Sequence, residues 1–281
     1  MSRPKNRRPD RETVTVLRKL YYSFRRHQLD QLVRRVKEEG PINPADLSRE
    51  NWDKSLQEPT AFYLKSFRYF HFQLPEAVRN HRAYFQRERR GFGEDAFHVM
   101  WFLLFREFAF RKFLEIGVYR GQVLSLISLL QQQDGGGNVT GISPFSPVGD
   151  AVSEYLREID YLEDTKTNFR ALSLPTPELL RAYSTDAEAV ALIRSGGWDC
   201  IYVDGNHDYE IASVDVLNAT AGLRAGGLLV LDDSGLTTTF QPPRFATKGH
   251  PGPSRLAAEM DKTRFREILQ VGHNRVFEKL S

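Results

Sequence analysis

Four ionisable side chains have the types and spacing of a metal-assisted reaction centre. Asp204 and His207 follow one short apolar stretch, and Asp232 and Asp233 follow another. Crowded carboxylates repel one another and raise each other's pKa unless a cation neutralises them. A hard divalent ion, Mg²⁺ or Mn²⁺, accepts such oxygen ligands. If the two stretches are neighbouring strands, the pattern predicts a metal site at Asp204, Asp232 and Asp233, with His207 as the proton acceptor.

A second candidate site follows an earlier apolar stretch, in residues 115–121 (EIGVYRG). Gly117 permits a tight turn from a strand into a helix, and Gly121 lets the start of that helix approach a ligand. Glu115 is placed to anchor a cationic or hydroxylated part of a cofactor. The segment differs from the dinucleotide fingerprint G-x-G-x-x-G. It therefore predicts a cofactor site of another type.

The elements that must position these residues alternate between short apolar runs and helical patterns after residue 111. This alternation predicts an α/β fold with a Rossmann-like, doubly wound, mostly parallel sheet and an N-terminal helical extension. The predicted strands lie at 112–116, 139–142, near 169–172, and at 200–203, 228–231, 265–271 and 275–280. The predicted helices between them lie at 121–132, 152–162, 186–194 and 209–223. Ligands of such sheets bind at the carboxyl ends of the strands, where the acids and glycines fall.

The front of the chain is basic. Residues 1–112 hold 24 Lys and Arg against 14 Asp and Glu (+10), and the remainder holds 15 against 22 (−7), which sums to the net +3. Such a balance suits an anionic partner. A solvated helical surface is the simpler interpretation, because no motif for base stacking or groove reading is present. We predict a disordered basic tail at 1–11 and a helical extension at 12–95 that caps the substrate or contacts another copy.

Composition limits the class of protein. The 281 residues include one cysteine, so no internal disulfide forms. No apolar run approaches the roughly 18 residues of a membrane span, and the polar start is unlike a signal peptide. The apolar stretch 96–110 predicts a buried helix. We expect a cytoplasmic protein, with no specific nucleic-acid partner and with homo-oligomers; peripheral contact with anionic membranes is a less favoured alternative.

Three motifs make the sequence resemble a known family: EIGVYRG at 115–121, VDGNH at 203–207 and GGLLVLDD at 226–233. Residues 111–281 resemble class I S-adenosylmethionine (SAM)-dependent methyltransferases, and more narrowly the metal-dependent sugar O-methyltransferases of the macrocin type. Catechol O-methyltransferases space their metal ligands similarly but have a lysine where this chain has His207. The histidine favours the sugar-modifying relatives.

The resemblance implies a role for each motif residue. Glu115, Gly117 and Gly121 would bind SAM, Asp204, Asp232 and Asp233 would bind Mg²⁺ or Mn²⁺, and His207 would be the general base. In two places this chain departs from the family: Ser143 and Ser173 stand near strand ends where acids usually contact the ribose and the adenine. A serine hydroxyl donates and accepts hydrogen bonds without charge, so we expect Ser143 and Ser173 to make these cofactor contacts.

The implied function is SAM-dependent methylation of a hydroxyl on a sugar, glycan or glycosylated natural product, by a domain at 96–281. One alternative is the same metal chemistry on catechol-like or other small-molecule hydroxyls. Others are RNA binding or RNA methylation, which the basic front half motivates, and a non-catalytic scaffold, which the two serines motivate. A glycine-bearing lid is predicted at 90–95. An acceptor-covering loop is predicted at 237–255, with Arg244 and His250 as substrate contacts.

Overall fold

The computed structural model describes residues 11–87, 90–147, 149 and 158–280. Its centre is a seven-stranded sheet with the order β3-β2-β1-β4-β5-β7-β6. The strands are β1 Lys112–Ile116, β2 Asn138–Ser143, β3 Glu178–Arg181, β4 Trp198–Val203, β5 Leu223–Leu231, β6 Phe265–Val271 and β7 Asn274–Lys279. Strands β1 to β5 are parallel, and β7 runs antiparallel to both β5 and β6. The doubly wound sheet with a final antiparallel hairpin is therefore confirmed.

Helices precede the sheet and cover both of its faces. Before β1 lie α1 Arg11–Glu39, α2 Asp53–Gln57, α3 Pro59–Phe72, α4 Glu76–Arg87 and α5 Asp95–Phe108. Within and after the parallel strands lie α6 Gln122–Gln133, α7 Tyr161–Ala171, α8 Ala187–Ser195, α9 Tyr209–Gly222 and α10 Pro251–Ala258. In the described part of the chain, none of these helices combines the length and apolarity needed to cross a membrane.

The N-terminal helices share a hydrophobic core with the sheet. On α5, the buried Trp101 ring contacts Phe113 of β1 and Tyr202 of β4, with ring centroids 5.7 and 5.1 Å apart. A buried hydrogen bond of 2.9 Å from the Gln270 backbone N–H to Ser55 Oγ joins β6 to α2. The predicted burial of the apolar stretch at 96–110 is thus confirmed, and α2 and α5 both join the N-terminal helices to the sheet.

The third strand was predicted in the wrong place. Residues 169–171 belong to α7, and the strand that pairs with β2 is Glu178–Arg181. Helix α7 forms because Asp160 caps it, accepting hydrogen bonds from the backbone N–H groups of Leu162 and Glu163. An Asp followed three residues later by a Glu is a recognised signal for a helix start. That signal was present in the sequence and was missed.

Two other predicted segments differ from the structure or lie beyond it. The helix predicted at 152–162 is only partly testable, because residues 152–157 lie outside the described residues. The described residues 158–160 are not helical and precede α7. The predicted tail at 1–11 falls almost wholly outside the described residues, and Arg11 is already the first residue of α1.

Candidate active site

The predicted acids meet at the carboxyl edge of β4 and β5. These strands are parallel neighbours, and Val203 pairs with Leu231. Asp204 and Asp232 are the next residues along each strand, so they lie side by side, and Asp204 hydrogen-bonds to Asp232. The convergence expected from two strand-end motifs is therefore found.

Opposite electrostatic effects act on the two members of the Asp204–Asp232 pair. Burial, and then the negative charge of Asp232, raise the pKa of Asp204 well above its ordinary value. Burial would also raise the pKa of Asp232, but the nearby His273 outweighs it and lowers that pKa to about 2. Asp204 is therefore the member that favours the protonated form and Asp232 the member that favours the ionised form, as expected of two carboxyl groups in one buried place.

His273 is a site residue that sequence reasoning missed. Its Nε2 lies 3.3 Å from Asp232 Oδ1 and 3.8 Å from Asp233 Oδ1. Burial alone would lower its pKa, but Asp232 and then Asp233 raise it to about 10. His273 occupies the turn of the β6–β7 hairpin, and the pairing of Leu231 with Arg275 places this turn beside the acids. The predicted hairpin could have located it.

Two further histidines, His207 and His250, lie near Asp233. His207 Nε2 lies 2.9 Å from Asp233 Oδ2, and the His250 ring packs against the His207 ring at 4.3 Å between centroids. Asp233 adopts a left-handed backbone conformation with φ 49°, which Asp tolerates better than most residues. Its carbonyl is held by the His250 backbone N–H at 2.7 Å and by Ser254 Oγ at 3.2 Å. The sequence thus brings His207, Asp233 and His250 together as expected.

These groups fit a divalent cation. Ligand atoms of Asp232, Asp233 and His273 lie within 4.8 Å of one another, and those of His207, Asp233 and His250 do the same. Carboxylate oxygens suit Mg²⁺ and Mn²⁺, and imidazole nitrogens suit the transition metal better. The donor set is therefore chemically suitable for the predicted metal.

The acids line a cavity of about 250 Å³, here called the acid cavity, which also contains Glu115. Glu115 is 3% exposed, and its Oε2 has no hydrogen-bond partner among the described residues. Burial, with a smaller contribution from Asp232, raises the pKa of Glu115 to about 8. Buried polar atoms normally have partners. A cationic ligand group would supply the missing one, as the sequence predicted.

A second cavity of about 280 Å³, here called the cofactor pocket, adjoins the first and shares Tyr119 and Asp204 with it. Gly117 and Ser143 line it as predicted. Gly117 has φ +103°, and a Cβ there would lie 1.9 Å from the Asp204 carbonyl oxygen. The segments that follow β1 and β4 can therefore approach this closely only with a glycine at position 117. Apart from Asp204, its described lining contains no acidic or basic side chain.

Two predicted cofactor residues lie elsewhere. A Cβ at Gly121 would lie 2.7 Å from Thr165 Cγ2, so the glycine allows helix α7 to pack closely here. Gly121 lines neither cavity. Ser173 sits in a turn after α7 with φ 55° and is also absent from the cofactor pocket. Because the third strand ends at Arg181, Ser184 stands where Ser173 was expected, and it lines the pocket.

The two predicted substrate contacts, Arg244 and His250, lie in different places in the structure. His250 lines the acid cavity. Arg244 is exposed and lines none of the cavities described in this protein, so the structure gives it no place near the acids. The glycine-rich stretch thus contributes a histidine and not the arginine.

Comparisons with known proteins show which protein family and which solved structures this chain resembles. Residues 114–234 match the methyltransferase-domain family. A search of curated proteins finds no match. One similar solved structure is the methyltransferase PaMTH1 of Podospora anserina bound to S-adenosylhomocysteine (SAH), with 16% identity, 74% of this chain and 89% of that chain covered, and a TM-score of 0.52.

Two further structures share the fold. An O-methyltransferase of Bacillus cereus in complex with SAH is 14% identical, covers 83% of this chain and 100% of its own, and has a TM-score of 0.52. The O-methyltransferase TomG of Streptomyces achromogenes, in complex with SAM, is 16% identical, with 83% and 98% covered and a TM-score of 0.50. At such identities the likeness concerns the fold. Residues 114–234 thus match a methyltransferase domain, and the chain has the fold of the class I, SAM-dependent methyltransferases.

Proposed function

We propose that this enzyme transfers the methyl group of SAM to a hydroxyl oxygen of a sugar or glycan with the help of a bound divalent cation. The observation that carries the proposal is the acid cavity. It holds Asp204, Asp232 and Asp233, the last of which is hydrogen-bonded to His207, and it adjoins the cofactor pocket through Asp204. The solved O-methyltransferases of the same fold, in complex with SAH or SAM, support the oxygen acceptor and the cofactor.

The two adjoining cavities together have groups for each part of SAM. In the acid cavity, Glu115 has an unpartnered buried oxygen for the ammonium group. In the cofactor pocket, Ser143 and Ser184 offer hydroxyls in the lining where ribose and adenine need hydrogen bonds. When bound, SAM supplies an electrophilic methyl group. The chain's own residues hold and orient it beside the acids, which converts the transfer into a reaction between positioned groups.

We assign the removal of the acceptor's proton to His207, which does not itself line the acid cavity but is hydrogen-bonded to Asp233, which does. A sugar hydroxyl is barely acidic at neutral pH, so a base is required. Asp233 Oδ2, 2.9 Å from His207 Nε2, would orient the ring and stabilise the imidazolium that forms. A divalent cation held by Asp204, Asp232 and Asp233 would stabilise the developing negative charge on oxygen.

A second candidate acceptor is a catechol-like phenol. The acid cavity is lined partly by aromatic side chains, Phe97, Trp101, Tyr119 and Tyr202, and such walls pack against flat rings. A phenol is more acidic than a sugar hydroxyl and depends less on a base. The two acceptors are therefore distinguishable by how strongly each depends on His207.

The test measures transfer of a labelled methyl group to matched sugar and phenol acceptors with Mg²⁺, Mn²⁺ or EDTA. We expect EDTA and Asp204→Asn each to abolish turnover, while Asp134→Asn, an exposed acid after α6, changes nothing. Calorimetric titration with SAH accompanies each variant. Activity that survives EDTA would refute the metal, and a wild type that fails to bind SAH would refute the enzyme function.

A further inference from the structure

A large chamber, here called the arginine chamber, adjoins the acid cavity on the side of the N-terminal helices. It has a volume of about 1010 Å³ and is formed by α1, α3, α4 and residues 91–95. Of the residues that line it, only Tyr119 falls within the matched residues 114–234. Its volume is at the upper end for small-molecule sites.

The arginine chamber opens onto the acid cavity. Both are lined by Arg25, by residues 91–94 and by Tyr119. The predicted lid is therefore the boundary between them. Gly93 N–H donates to Gln122 Oε1 at 3.1 Å, which fixes this boundary to the start of α6. A molecule that presents a hydroxyl to the acids can extend past residues 91–94 into the chamber.

The chamber is lined by both apolar and basic side chains. Its apolar wall includes Leu29, Val33, Phe67, Phe70 and Phe245. Its basic residues are Arg25, Arg26, Arg79, Arg82 and Arg87, and its acidic residues are Asp30, Glu94 and Asp95.

Most of the acidic groups are already engaged. Asp95 pairs with Arg82 Nε at 3.0 Å and with His71 Nε2 at 3.3 Å. Glu94 accepts a hydrogen bond of 2.5 Å from Tyr63 Oη, and burial raises its pKa. These contacts leave Asp30 as the chamber acid with no such partner among the described residues.

Three arginines remain uncommitted. Arg26, Arg79 and Arg87 form no ion pair with any described residue, and Arg25 donates to the Phe245 carbonyl oxygen. Guanidinium groups beside an apolar wall attract anions and bind carboxylate, phosphate or sulfate oxygens in pairs. We infer that the acceptor is anionic: a carboxylate, phosphate or sulfate group on it lies among Arg26, Arg79 and Arg87 while its hydroxyl reaches the acid cavity. This inference rests on the proposed function.

One experiment tests the chamber without any methyl transfer. The probes are 8-anilinonaphthalene-1-sulfonate, an apolar anion whose fluorescence reports binding, and its neutral analogue N-phenyl-1-naphthylamine. In a variant carrying Arg26→Gln, Arg79→Gln and Arg87→Gln, we expect the Kd of the sulfonate to rise about tenfold or more, since each lost charge-assisted contact costs about 1.5–3 kcal/mol. The Kd of the neutral analogue is expected to stay the same.

The matched control is Arg34→Gln. Arg34 is an exposed arginine of the same helix as Arg26 but does not line the chamber. SAH affinity reports that each variant is folded. Equal sulfonate affinity in the triple variant and the wild type would overturn the inference.

The second arm uses acceptor pairs that differ in charge. These are 4-nitrophenyl glucuronide with 4-nitrophenyl glucoside, and glucose 6-phosphate with glucose, so the first pair tests a carboxylate and the second a phosphate. We expect kcat/KM to favour the anionic member, mainly through KM, and the triple variant to bring the ratio towards one. Equal kcat/KM within both pairs overturns the inference and leaves the proposed function standing. A chamber that loses sulfonate binding in an enzyme that methylates no hydroxyl refutes the proposed function alone.

Discussion

The two halves of the sheet's carboxyl edge use different chemistry. On the side of β1 to β3, the strand ends and their loops present Gly117, Ser143 and Ser184, which are neutral. On the side of β4 and β5 they present carboxylates with histidines around them. Asp204 belongs to both cavities. Under the proposed function, the difference means that backbone and hydroxyl groups would bind most of one reactant, while charge is concentrated where a proton would move.

The largest effect is expected from a substitution in the charged half, at Asp232. Asp232→Asn removes the acid that contacts both Asp204 and His273. We expect methyl transfer to fall about 10³-fold or more, because electrostatic stabilisation by a bound cation is worth several kcal/mol. SAH affinity should stay within about threefold of wild type. A parallel loss of SAH binding, measured by calorimetry, would mean that the two halves are not separable.

The next effect concerns the base. His207→Ala should lower kcat for a sugar acceptor by roughly 10²–10⁴-fold, the usual contribution of a general base. For a phenol, whose hydroxyl is more acidic, the loss should be smaller. Rates with both acceptors across pH 6 to 10 provide the measurement. An equal loss on sugar and phenol would contradict the role of His207 as proton acceptor.

A smaller effect is expected at Glu115, the one acid of β1, which lines the acid cavity. Burial raises its pKa from 4.5 to about 8, so the free protein holds this proton at neutral pH. An ammonium group, protonated below about pH 8, favours the ionised carboxylate. SAH affinity should therefore tighten as pH rises from 5 to 8, with release of a proton, and calorimetry in two buffers measures both.

The matched variant is Glu115→Gln, which should weaken SAH binding by roughly tenfold at pH 8 and abolish the pH dependence. Stability changes in the opposite direction. Because the folded state holds this proton more tightly than the unfolded state, the free energy of unfolding of the unliganded protein falls as pH rises from about 4.5 towards 8. Urea unfolding of the two proteins at pH 5 and 8 checks this sign. A flat wild-type profile would show that Glu115 is ionised throughout.

The smallest effect is expected from a substitution in the neutral half, at Ser184. Ser184→Ala should weaken SAH binding by about two- to tenfold, the value of one neutral hydrogen bond. Ser173→Ala is the matched control and should change nothing, since Ser173 lies in the turn after α7. Calorimetric Kd values decide between them. Equal losses in both variants would return Ser173 to the cofactor site.

The sequence was most informative where hydrophobic runs are long and regular. The bounds of β1 and β6 match the prediction, and the acids meet because β4 and β5 are parallel neighbours whose final residues are buried. Strand β3 was missed because its four residues, Glu178–Arg181, are only partly buried and show no apolar run. The hydrophobic pattern therefore carried no signal there.

Other features depend on segments far apart in the chain. His273 reaches Asp232 through strand pairing across more than forty positions of sequence. The arginine chamber depends on how α1, α3 and α4 pack, which helical periodicity leaves open. Periodicity identifies which face of a helix is buried but not which partner covers it. These arrangements therefore required the three-dimensional structure.

The contact of Trp101 with Phe113 and Tyr202 has a consequence for how this enzyme can diversify. Because α5 completes the core of the sheet, the N-terminal helices are not an interchangeable module. Exchanging them as a block would expose the apolar face of β1 and β4. If the chamber selects the acceptor as proposed, new acceptor preferences would arise by point substitutions on its walls, such as at Arg79 or Phe70, with the helical framework retained.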